Sequence, residues 1–441
     1  MKPTKLILFM ALSILAFSAC RKTTEEPDPV KTPKQAEVLS GEITASKVLT
    51  ADRVWVLNGF VVVKNNAILT IEPGTVIKGG VGQKGALIID KGSKIMADGT
   101  KDKPIVFTSG KAAGSRGPGD WGGILLVGRA PTNRSTPVQV EGGVGITYGT
   151  DNIPDDNSGI LRYVRIEYAG IGTNDSEINA LTLYAIGSGT ILDNIQTSYA
   201  NDDAFEFFGG TVKATNLVAY ATADDDFDFD FGYNGSIQFA MALRDPKFVD
   251  AVDAGNGIEC DNDKDGTDAL PVTHPKLSNL TLIGPNNAMG TATNHNYGNR
   301  WRRGTKFTFN NSIILGAQKG GFSIESDKSA AFYKDGASEF KNNLLAPFAS
   351  PFVSNSGVFT AANMQAKAIA DGCTALLAAE VNLTNPFSLT TPNFLPLAGS
   401  PALTGTFAAT AGAGAVTYRG AFGTTDWTAG WVNWDPQNKV Y

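Results

Sequence analysis

A repeat of 22 residues in the middle of the chain is the feature that most limits its possible folds. Residues 193–209 (DNIQTSYANDDAFEFFG) and 215–231 (TNLVAYATADDDFDFDF) superimpose at that shift. The match brings acid onto acid and ring onto ring: Asp202 on Asp224, Asp203 on Asp225, Phe205 on Phe227, Glu206 on Asp228 and Phe207 on Phe229. Short alternating runs at a constant shift of this size are typical of a coil that stacks on itself. The repeat therefore predicts an all-β parallel β-helix.

Other parts of the chain carry the same pattern of short strands between turns. Residues 54–78 and 86–109 alternate β-branched and polar residues around glycine turns, which fits a solenoid or a sandwich. The repeat decides for the solenoid. Several strands open with an asparagine, namely Asn194, Asn216, Asn279, Asn311 and Asn343. Asparagine tolerates left-handed backbone and can bond its own turn, so we expect these residues to build corners of the coil with stacked amides.

The first residues predict export and a lipid anchor. Two lysines precede the apolar run 6–17, which is too short to span a bilayer. A pair of small residues then leads into Cys20, an arrangement that resembles the lipobox of bacterial lipoproteins, in which the cysteine carries the lipid. We therefore expect a signal peptide at residues 1–19 and lipidation at Cys20. The alternative is an ordinary signal peptide followed by a chance cysteine.

The remaining boundaries follow from composition. Residues 20–36 are polar and contain proline, which predicts a flexible tether. We expect the β-helix over residues 37–380 and an irregular segment at 381–441 that caps the open end of the solenoid. That cap is expected to use three clustered tryptophans, Trp427, Trp431 and Trp434. Stacking of these rings on sugars is the alternative.

Charge and cysteine content restrict the partners. The net charge of −6 argues against nucleic acid, whose binding proteins present basic surfaces. With Cys20 lipidated, Cys260 and Cys373 remain. We expect two buried free thiols. A disulfide is the alternative, because sequence separation does not set the distance between the two residues.

The acids of the repeat carry the most distinctive chemistry. Alternation in Phe205-Glu206-Phe207 places the rings on one side of the strand and the carboxylate on the other. We expect an outward ladder of Glu206, Asp228 and Glu259, which reaches Glu325 unless an intervening coil breaks it. Close carboxylates raise one another's pKa values or require a cation, and calcium suits oxygen ligands. The candidate calcium ligands are Asp202, Asp203, Glu206, Asp224, Asp225, Asp226, Asp228 and Glu259.

A second calcium candidate is the loop at residues 261–268 (DNDKDGTD). Asp261, Asp263 and Asp265 followed by glycine have the opening spacing of a calcium loop. The twelfth position, where an EF-hand has a bidentate glutamate, holds Val272. A solvated acidic turn is therefore the alternative.

Five strings in the chain resemble one family of secreted or lipid-anchored Bacteroidota proteins. They are GDWGGILLVGRAP, DNSGILRYVRIEYAG, NDDAFEFFGG, LRDP and YRGAFGTTDWTAGW. The resemblance implies a right-handed, pectate-lyase-like β-helix at the cell surface. Acids soon after Cys20 also resemble the signal that sends Bacteroidota lipoproteins to the outer face of the outer membrane. The family has no established common activity, so membership implies a scaffold and not a lyase.

Three functions remain open. The first, which we favour, is non-catalytic binding of a glycan or another extended ligand at the outer membrane. The second is a polysaccharide lyase or glycoside hydrolase; the Gly-His-Gly and Arg-x-Lys motifs of β-helix hydrolases are absent, so no catalytic residue is assigned. The third is an accessory subunit of an outer-membrane transport or assembly complex. The candidate ligand-binding residues are Arg244, Tyr297, Trp301, Arg302 and Arg303.

Overall fold

The structure, a computed structural model, describes Met1 and residues 35–83, 85–171 and 177–441. Within these residues, 28 strands join in one sheet, and each pairs in parallel with the equivalent strand of the neighbouring coil. Phe205 pairs with Phe227, so the register of the repeat is the one that the sequence indicates. The predicted parallel β-helix is confirmed. The expected signal peptide at 1–19, Cys20 and most of the tether lie outside the described residues.

Each coil contributes strands to three faces, which we number in the order of the repeat. Face 1 contains Ala86–Ile89, Gly123–Val127, Leu181–Tyr184, Phe205–Phe208, Phe227–Asp230, Ile258–Cys260, Tyr297–Trp301, Gly320–Ile324 and Ser350–Ser354. Face 2 contains Lys47–Leu49, Ile68–Ile71, Lys94–Asp98, Ser236–Gln238, Lys276–Ser278, Thr308–Asn310 and Glu339–Lys341. Face 3 contains Val76–Gly79, Ile105–Thr108, Met241–Leu243, Thr281–Ile283, Ile313–Leu315, Leu344–Ala346 and Thr374–Ala375.

Five longer strands bend at a corner and belong to two faces. Ala36–Ile43 and Val54–Val63 join face 3 to face 1, whereas Gly159–Glu167, Ile191–Ser198 and Lys213–Tyr220 join face 2 to face 3. Outside this sheet, two antiparallel pairs are formed by Val138–Gln139 with Thr147–Tyr148 and by Leu383–Asn385 with Asn393–Pro396. The described helices are the α-helices Asp327–Lys334 and Ala361–Ala370 and the short 3-10 turns Glu141–Gly143, Ala378–Val381 and Pro401–Leu403.

Asparagines form the corner between faces 2 and 3. Left-handed backbone is found at Asn194, Asn216, Asn279 and Asn311, with φ of 53°, 56°, 59° and 54°. In the next coil it is Asn342, not Asn343, that adopts this conformation. The corner role is therefore confirmed at four of the five positions. The expected stack of amides does not form at Asn279 and Asn311, whose side chains bond carbonyls of the C-terminal segment instead.

The core of the coil is a stack of inward side chains. Phe205 lies on Phe227 with ring centroids 5.4 Å apart, and Phe207 lies on Phe229 at 5.0 Å. Cys260 continues the column of Phe229. Cys260 and Cys373 are both buried and unpaired, so the expectation of free thiols is confirmed. Among the described residues, no helix has the length and apolar character needed to cross a bilayer.

The C-terminal segment, residues 381–441, runs back along the outside of face 3. Its hydrogen bonds reach successively earlier coils: Asn311 Nδ2 to the Ala408 carbonyl (2.7 Å), Asn279 Nδ2 to Tyr418 (2.9 Å), Arg165 Nε to Trp431 (2.6 Å) and Arg116 Nη1 to Pro436 (2.6 Å). The predicted cap at the end of the solenoid is therefore wrong in its placement. The end is covered instead by the helix Ala361–Ala370, whose Met364 and Ala368 join the core.

The physical reason for this course is the outer side of face 3, which is apolar. Its outward residues form a cluster separate from the core: Val218, Tyr220, Met241, Leu243, Ile283, Ile313, Leu315, Leu344 and Ala346. A parallel sheet with apolar residues on both sides must be covered on both sides. Trp431 is fully buried in this cluster, and Trp427 and Trp434 pack against it.

A loop between Gly123–Val127 and Gly159–Glu167 folds over the outer side of face 1. Its Tyr148 ring packs on Tyr184 with centroids 4.8 Å apart and approaches Phe208 at 6.2 Å. The Tyr184 hydroxyl donates to Glu141 Oε2 at 3.0 Å. The loop therefore brings an additional acid to the face that already carries the acids of the repeat.

Candidate functional site

On face 1, the acids of the repeat form three columns, and each column contains the equivalent residues of successive coils. Glu206 pairs with Asp228, and Asp228 pairs with Glu259, so the outward ladder exists as expected for these three residues. Asp203 and Asp225 precede the two strands at equivalent positions, as do Asp202 and Asp224. Since the repeat places these residues one coil apart, side chains of one column lie about 4.8 Å from each other.

The middle column is held by a chain of hydrogen bonds along the coil. The Asp203 N–H donates to Asn179 Oδ1 (3.1 Å), the Asp225 N–H to Asp203 Oδ1 (2.8 Å) and the Asn256 N–H to Asp225 Oδ1 (2.5 Å). Asn179 also donates from Nδ2 to Glu206. The bonds donated by the Asp225 and Asn256 N–H groups each fix one carboxylate oxygen, Oδ1 of Asp203 and Oδ1 of Asp225.

The acids line a recessed cleft of about 150 Å³ rather than a flat solvated surface. Glu206 is only 7% exposed, and Asp203 is 6% exposed. The cleft residues share a carboxylate or amide side chain and are Glu141, Glu177, Asn179, Asp202, Asp203, Glu206, Asp224, Asp225, Asp228, Asp253 and Glu259. Part of the cover comes from Glu141 of the overlying loop.

Burial and mutual repulsion raise the pKa values of six carboxyls of the cleft, those of Asp202, Asp203, Glu206, Asp224, Asp225 and Asp228. Burial, followed by the charge of Asp253, raises the pKa of Asp224 to about 7. Burial also raises the pKa of Glu141 to about 7. For Asp203 and Glu206 the pKa lies well above the ordinary value, again through burial first and neighbouring acids second. The cleft therefore resists full ionisation unless positive charge enters it.

Two overlapping sets of acids are close enough to hold one cation each or to share one. In Asp202, Asp203 and Asp224, and in Asp203, Glu206 and Asp228, one oxygen per residue lies within 4.8 Å of the others. Asp202 adds a second observation: the residue is 9% exposed, and its buried Oδ2 has no hydrogen-bond partner in the described part of the chain. Within that part, none of these five acids has an ion pair with a basic side chain.

A pair of arginines ends the acidic ladder. Arg300 follows Glu259 in the column, and its guanidinium bonds Glu259 Oε2 and Glu325 Oε2 at 2.8 Å each. Arg302 also pairs with Glu259. Glu325 lies two residues beyond Ser323, the partner of Arg300, so of the two outcomes left open for Glu325 the structure shows the break before it. The intervening coil breaks the ladder with a cation.

Several predicted site residues face the wrong way to meet a ligand. Trp301 is fully buried in the core and stacks on Phe307 at 4.3 Å. Asp226 is fully buried and pairs with the buried Arg244 at 3.2 Å. Asp226 therefore does not belong to the group of candidate calcium ligands. Arg244 is only 4% exposed and donates to the carbonyls of Asn256 and Asp224, so it holds the coil together.

The loop at 261–268 does not bring its acids together. Asp261 pairs with Arg302 at 2.9 Å and with Arg303 at 2.6 Å. Asp263 accepts the N–H groups of Asp265 and Thr267 and so closes its own turn. Among the described residues, Asp261, Asp263 and Asp265 form no group of three converging oxygens. Arg303 is held by Asp261, while Tyr297 is half-buried at the start of its strand.

Sequence reasoning missed four polar residues of the cleft, Glu141, Glu177, Asn179 and Asp253, and their neighbour Asn256. Asn179 and Asn256 occupy the column of Asp203 and Asp225, and Asn256 Nδ2 donates to Asp225 Oδ1 at 2.9 Å. The signal for Asn179 was its position two residues before Leu181, which pairs with Phe205. Glu141 lies in an inserted loop, so no repeat pointed to it.

Comparison with known proteins gives one match. A family model described as a pectate-lyase-like β-helix domain matches residues 41–390, a span that includes every residue of the acidic cleft. No curated protein and no solved structure matches the chain.

Proposed function

Because this chain belongs to the family of pectate-lyase-like β-helix domains, and because the five acids of the two converging groups in its cleft pair with no basic side chain of the described residues, we propose that it binds calcium in this cleft. The cation in turn holds an extended glycan along face 1. The observation that carries the proposal is the convergence of two carboxylate triads on Asp203, beside the unpartnered oxygen of Asp202.

Calcium fits this donor set better than magnesium. Calcium takes six to eight oxygen ligands in irregular geometry, whereas magnesium requires a near-ideal octahedron. The five acids of the two triads supply the charge, and the open side of the cleft supplies room for oxygens of a ligand. Hydroxyl and carboxylate groups of an acidic glycan are oxygen donors of the kind that calcium accepts.

Binding is favoured over cleavage by the state of the neighbouring arginines. A lyase needs a base near the cation, and Arg300 and Arg302 reach the cleft at Glu259, with which both form ion pairs. Burial acts to lower the pKa of Arg300, but its ion pairs with Glu325 and Glu259 outweigh burial and raise it. The same holds for Arg302 with Glu259 and Asp261. A guanidinium held this firmly in its charged form is a poor proton acceptor and a good anchor for an anion.

Cleavage of an acidic polysaccharide is the second candidate, because two arginines do border the acidic cleft. The sequence supports a place for the protein on the outer membrane, lipid-anchored through Cys20 and facing outward. Membrane fractionation of a Cys20→Ser variant tests that anchor. An accessory role in an outer-membrane complex is the reading that remains if the cleft takes no cation.

The test is calcium titration by calorimetry and thermal unfolding of the purified protein, with chelator as reference. We expect calcium to stabilise the folded state by about 2.7 kcal/mol at a hundredfold excess over its dissociation constant. Asp203→Asn keeps the hydrogen bond to the Asp225 N–H and removes the shared carboxylate, so it should weaken calcium binding at least tenfold. Asp98→Asn, a surface carboxylate on face 2, is the matched control and should bind as the wild type does.

A wild-type protein that neither binds calcium nor gains stability from it contradicts the proposal. If calcium binds, a polyuronate is added with calcium and with chelator. Calcium-dependent retention of intact polymer supports binding, whereas release of unsaturated uronate products supports the lyase.

A further inference from the structure

A second cleft, of about 300 Å³, lies where the corner between faces 2 and 3 meets the C-terminal segment. It is separate from the acidic cleft on face 1 and shares no residue with it. Its wall combines side chains of the coil with side chains of the segment: Asn216, Phe239, Tyr418, Thr424, Thr425 and Trp427. None of these residues carries a charge, so the cleft does not select for an ion.

Phe239 occupies a corner position that five other coils give to asparagine and that the coil of Gly159–Glu167 gives to Tyr163. It follows Gln238, whose partners Thr215 and Ser278 precede Asn216 and Asn279. Like them it has left-handed backbone, with φ of 59°. Left-handed backbone is unusual for a bulky side chain and is strained there, whereas asparagine tolerates it. The ring is only half-buried, so core packing does not explain it. At this corner the Phe239 ring lines the cleft instead of joining the core.

The aromatic wall is fixed before any ligand arrives. Phe239 and Tyr418 lie nearly parallel, with ring centroids 6.3 Å apart and an angle of 27°. A β-carbon placed on Gly423 would lie 2.7 Å from the Tyr418 ring, so glycine at 423 lets the segment close against that ring. The Tyr418 carbonyl accepts from Asn279 Nδ2, and Trp427 Nε1 donates to the Ala421 carbonyl at 2.9 Å. Because these rings are already held in place, little free energy is lost to ordering side chains when a ligand binds.

The polar part of the cleft has unused capacity. The side-chain amides of Asn279 and Asn311 donate hydrogen bonds to carbonyls of the C-terminal segment. In the described part of the chain, the Asn216 amide has no hydrogen-bond partner, although it belongs to the same column. Thr424 and Thr425 are exposed and add two hydroxyls.

We infer that this cleft is a binding subsite for neutral pyranose sugars of a glycan. The apolar C–H face of a pyranose suits the faces of Phe239 and Tyr418, and its hydroxyls suit the Asn216 amide and the threonine hydroxyls. The site needs no cation and takes an uncharged sugar, so it is independent of the calcium site proposed above. A glycan with both neutral and acidic residues would meet both.

The test is calorimetric titration in chelator with a panel of neutral oligosaccharides: gluco-, xylo-, manno- and galacto-configured. Phe239→Asn is the decisive variant, because asparagine is the usual residue of this corner and relieves the strained backbone. It should fold at least as stably as the wild type and bind the best sugar at least tenfold more weakly. Asn216→Ala should also weaken binding, through loss of the amide.

Asp203→Asn is the cross-control and should leave neutral-sugar affinity unchanged. Phe239→Asn should likewise leave calcium affinity unchanged, so the two sites fail separately. The inference is overturned if no sugar of the panel binds the wild type at millimolar concentration, or if Phe239→Asn binds as tightly as the wild type.

Discussion

Faces 1 and 3 share one core and differ on their outer sides. Inward residues of both faces, such as Phe205 on face 1 and Leu282 on face 3, belong to the same buried cluster. Outward, face 3 carries residues such as Leu243 and Leu315, whereas face 1 carries Glu206 and Asp228. The inward residues of the repeat therefore determine the coil, whereas the outward residues of each face determine what covers that face.

The two covers differ in kind. Face 3 is closed by the protein's own C-terminal segment, and burial of apolar surface stabilises that contact by about 25 cal/mol per Å². Face 1 receives a loop that adds Glu141 to a cleft already crowded with acids. Apolar burial needs no partner from outside, but buried like charges do. The comparison indicates that face 3 is an internal interface, whereas face 1 leaves an acidic cleft whose charge is not balanced by the loop above it.

The largest expected effect comes from removing a buried side chain of the segment that covers face 3. Trp431 is fully buried, meets Tyr163 edge-on at 5.6 Å and donates from Nε1 to the Trp427 carbonyl at 2.8 Å. Trp431→Ala should lower the free energy of unfolding by about 3–5 kcal/mol, as for other buried aromatic residues. Urea unfolding measures it, with the exposed Val440→Ala as control. A loss below about 1 kcal/mol would show that the segment is not an integral part of the fold.

The difference between the faces also explains what the sequence could reveal. The acid columns were predictable because two coils of equal length place Glu206 beside Asp228. Trp301 was misassigned to a ligand surface because inserted loops lengthen the following coils and hide its alignment with the inward Cys260. The path of residues 381–441 depends on the outward side of face 3. Its signal was present in short strands without polar alternation, such as Ile313–Leu315, which indicate burial on both sides.

A smaller effect distinguishes face 1 by its response to pH. Its carboxyls have raised pKa values in the folded state, with those of Asp224 and Glu141 at about 7. A raised acid pKa gives stability that is complete below the unfolded value near 4 and is lost as pH rises through the folded value. Cation-free protein should therefore lose stability between pH 6.5 and 8.5, and the gain from calcium should grow over the same range.

The two histidines do not cause a loss of stability between pH 6.5 and 8.5. Burial lowers the pKa of His274 to about 4 and that of His295 to about 3, so both favour folding as pH rises toward the ordinary histidine value near 6.5. Above pH 6.5 their remaining contribution still raises stability with pH, so the histidines oppose the expected loss and cannot cause it. Thermal unfolding in chelator and in calcium at each pH measures the effect. Stability in chelator that is flat or rises across the window would mean that the acids of face 1 do not repel one another in the folded state.

The smallest expected effect removes one charge from the ladder without changing its shape. Asp228 lies between Glu206 and Glu259, and its Oδ1 accepts the Phe229 N–H at 2.6 Å, a bond that an asparagine side chain can keep. In chelator at pH 8, Asp228→Asn should raise the free energy of unfolding by on the order of 1 kcal/mol, equivalent to about one pKa unit, because one buried repulsion disappears. In calcium the same variant should gain less stability than the wild type, since it has lost a ligand. This opposite response to chelator and calcium is the signature of a charge kept for binding. A variant that is less stable in both conditions would place Asp228 among residues that simply hold the coil, as Asp226 does on the inside.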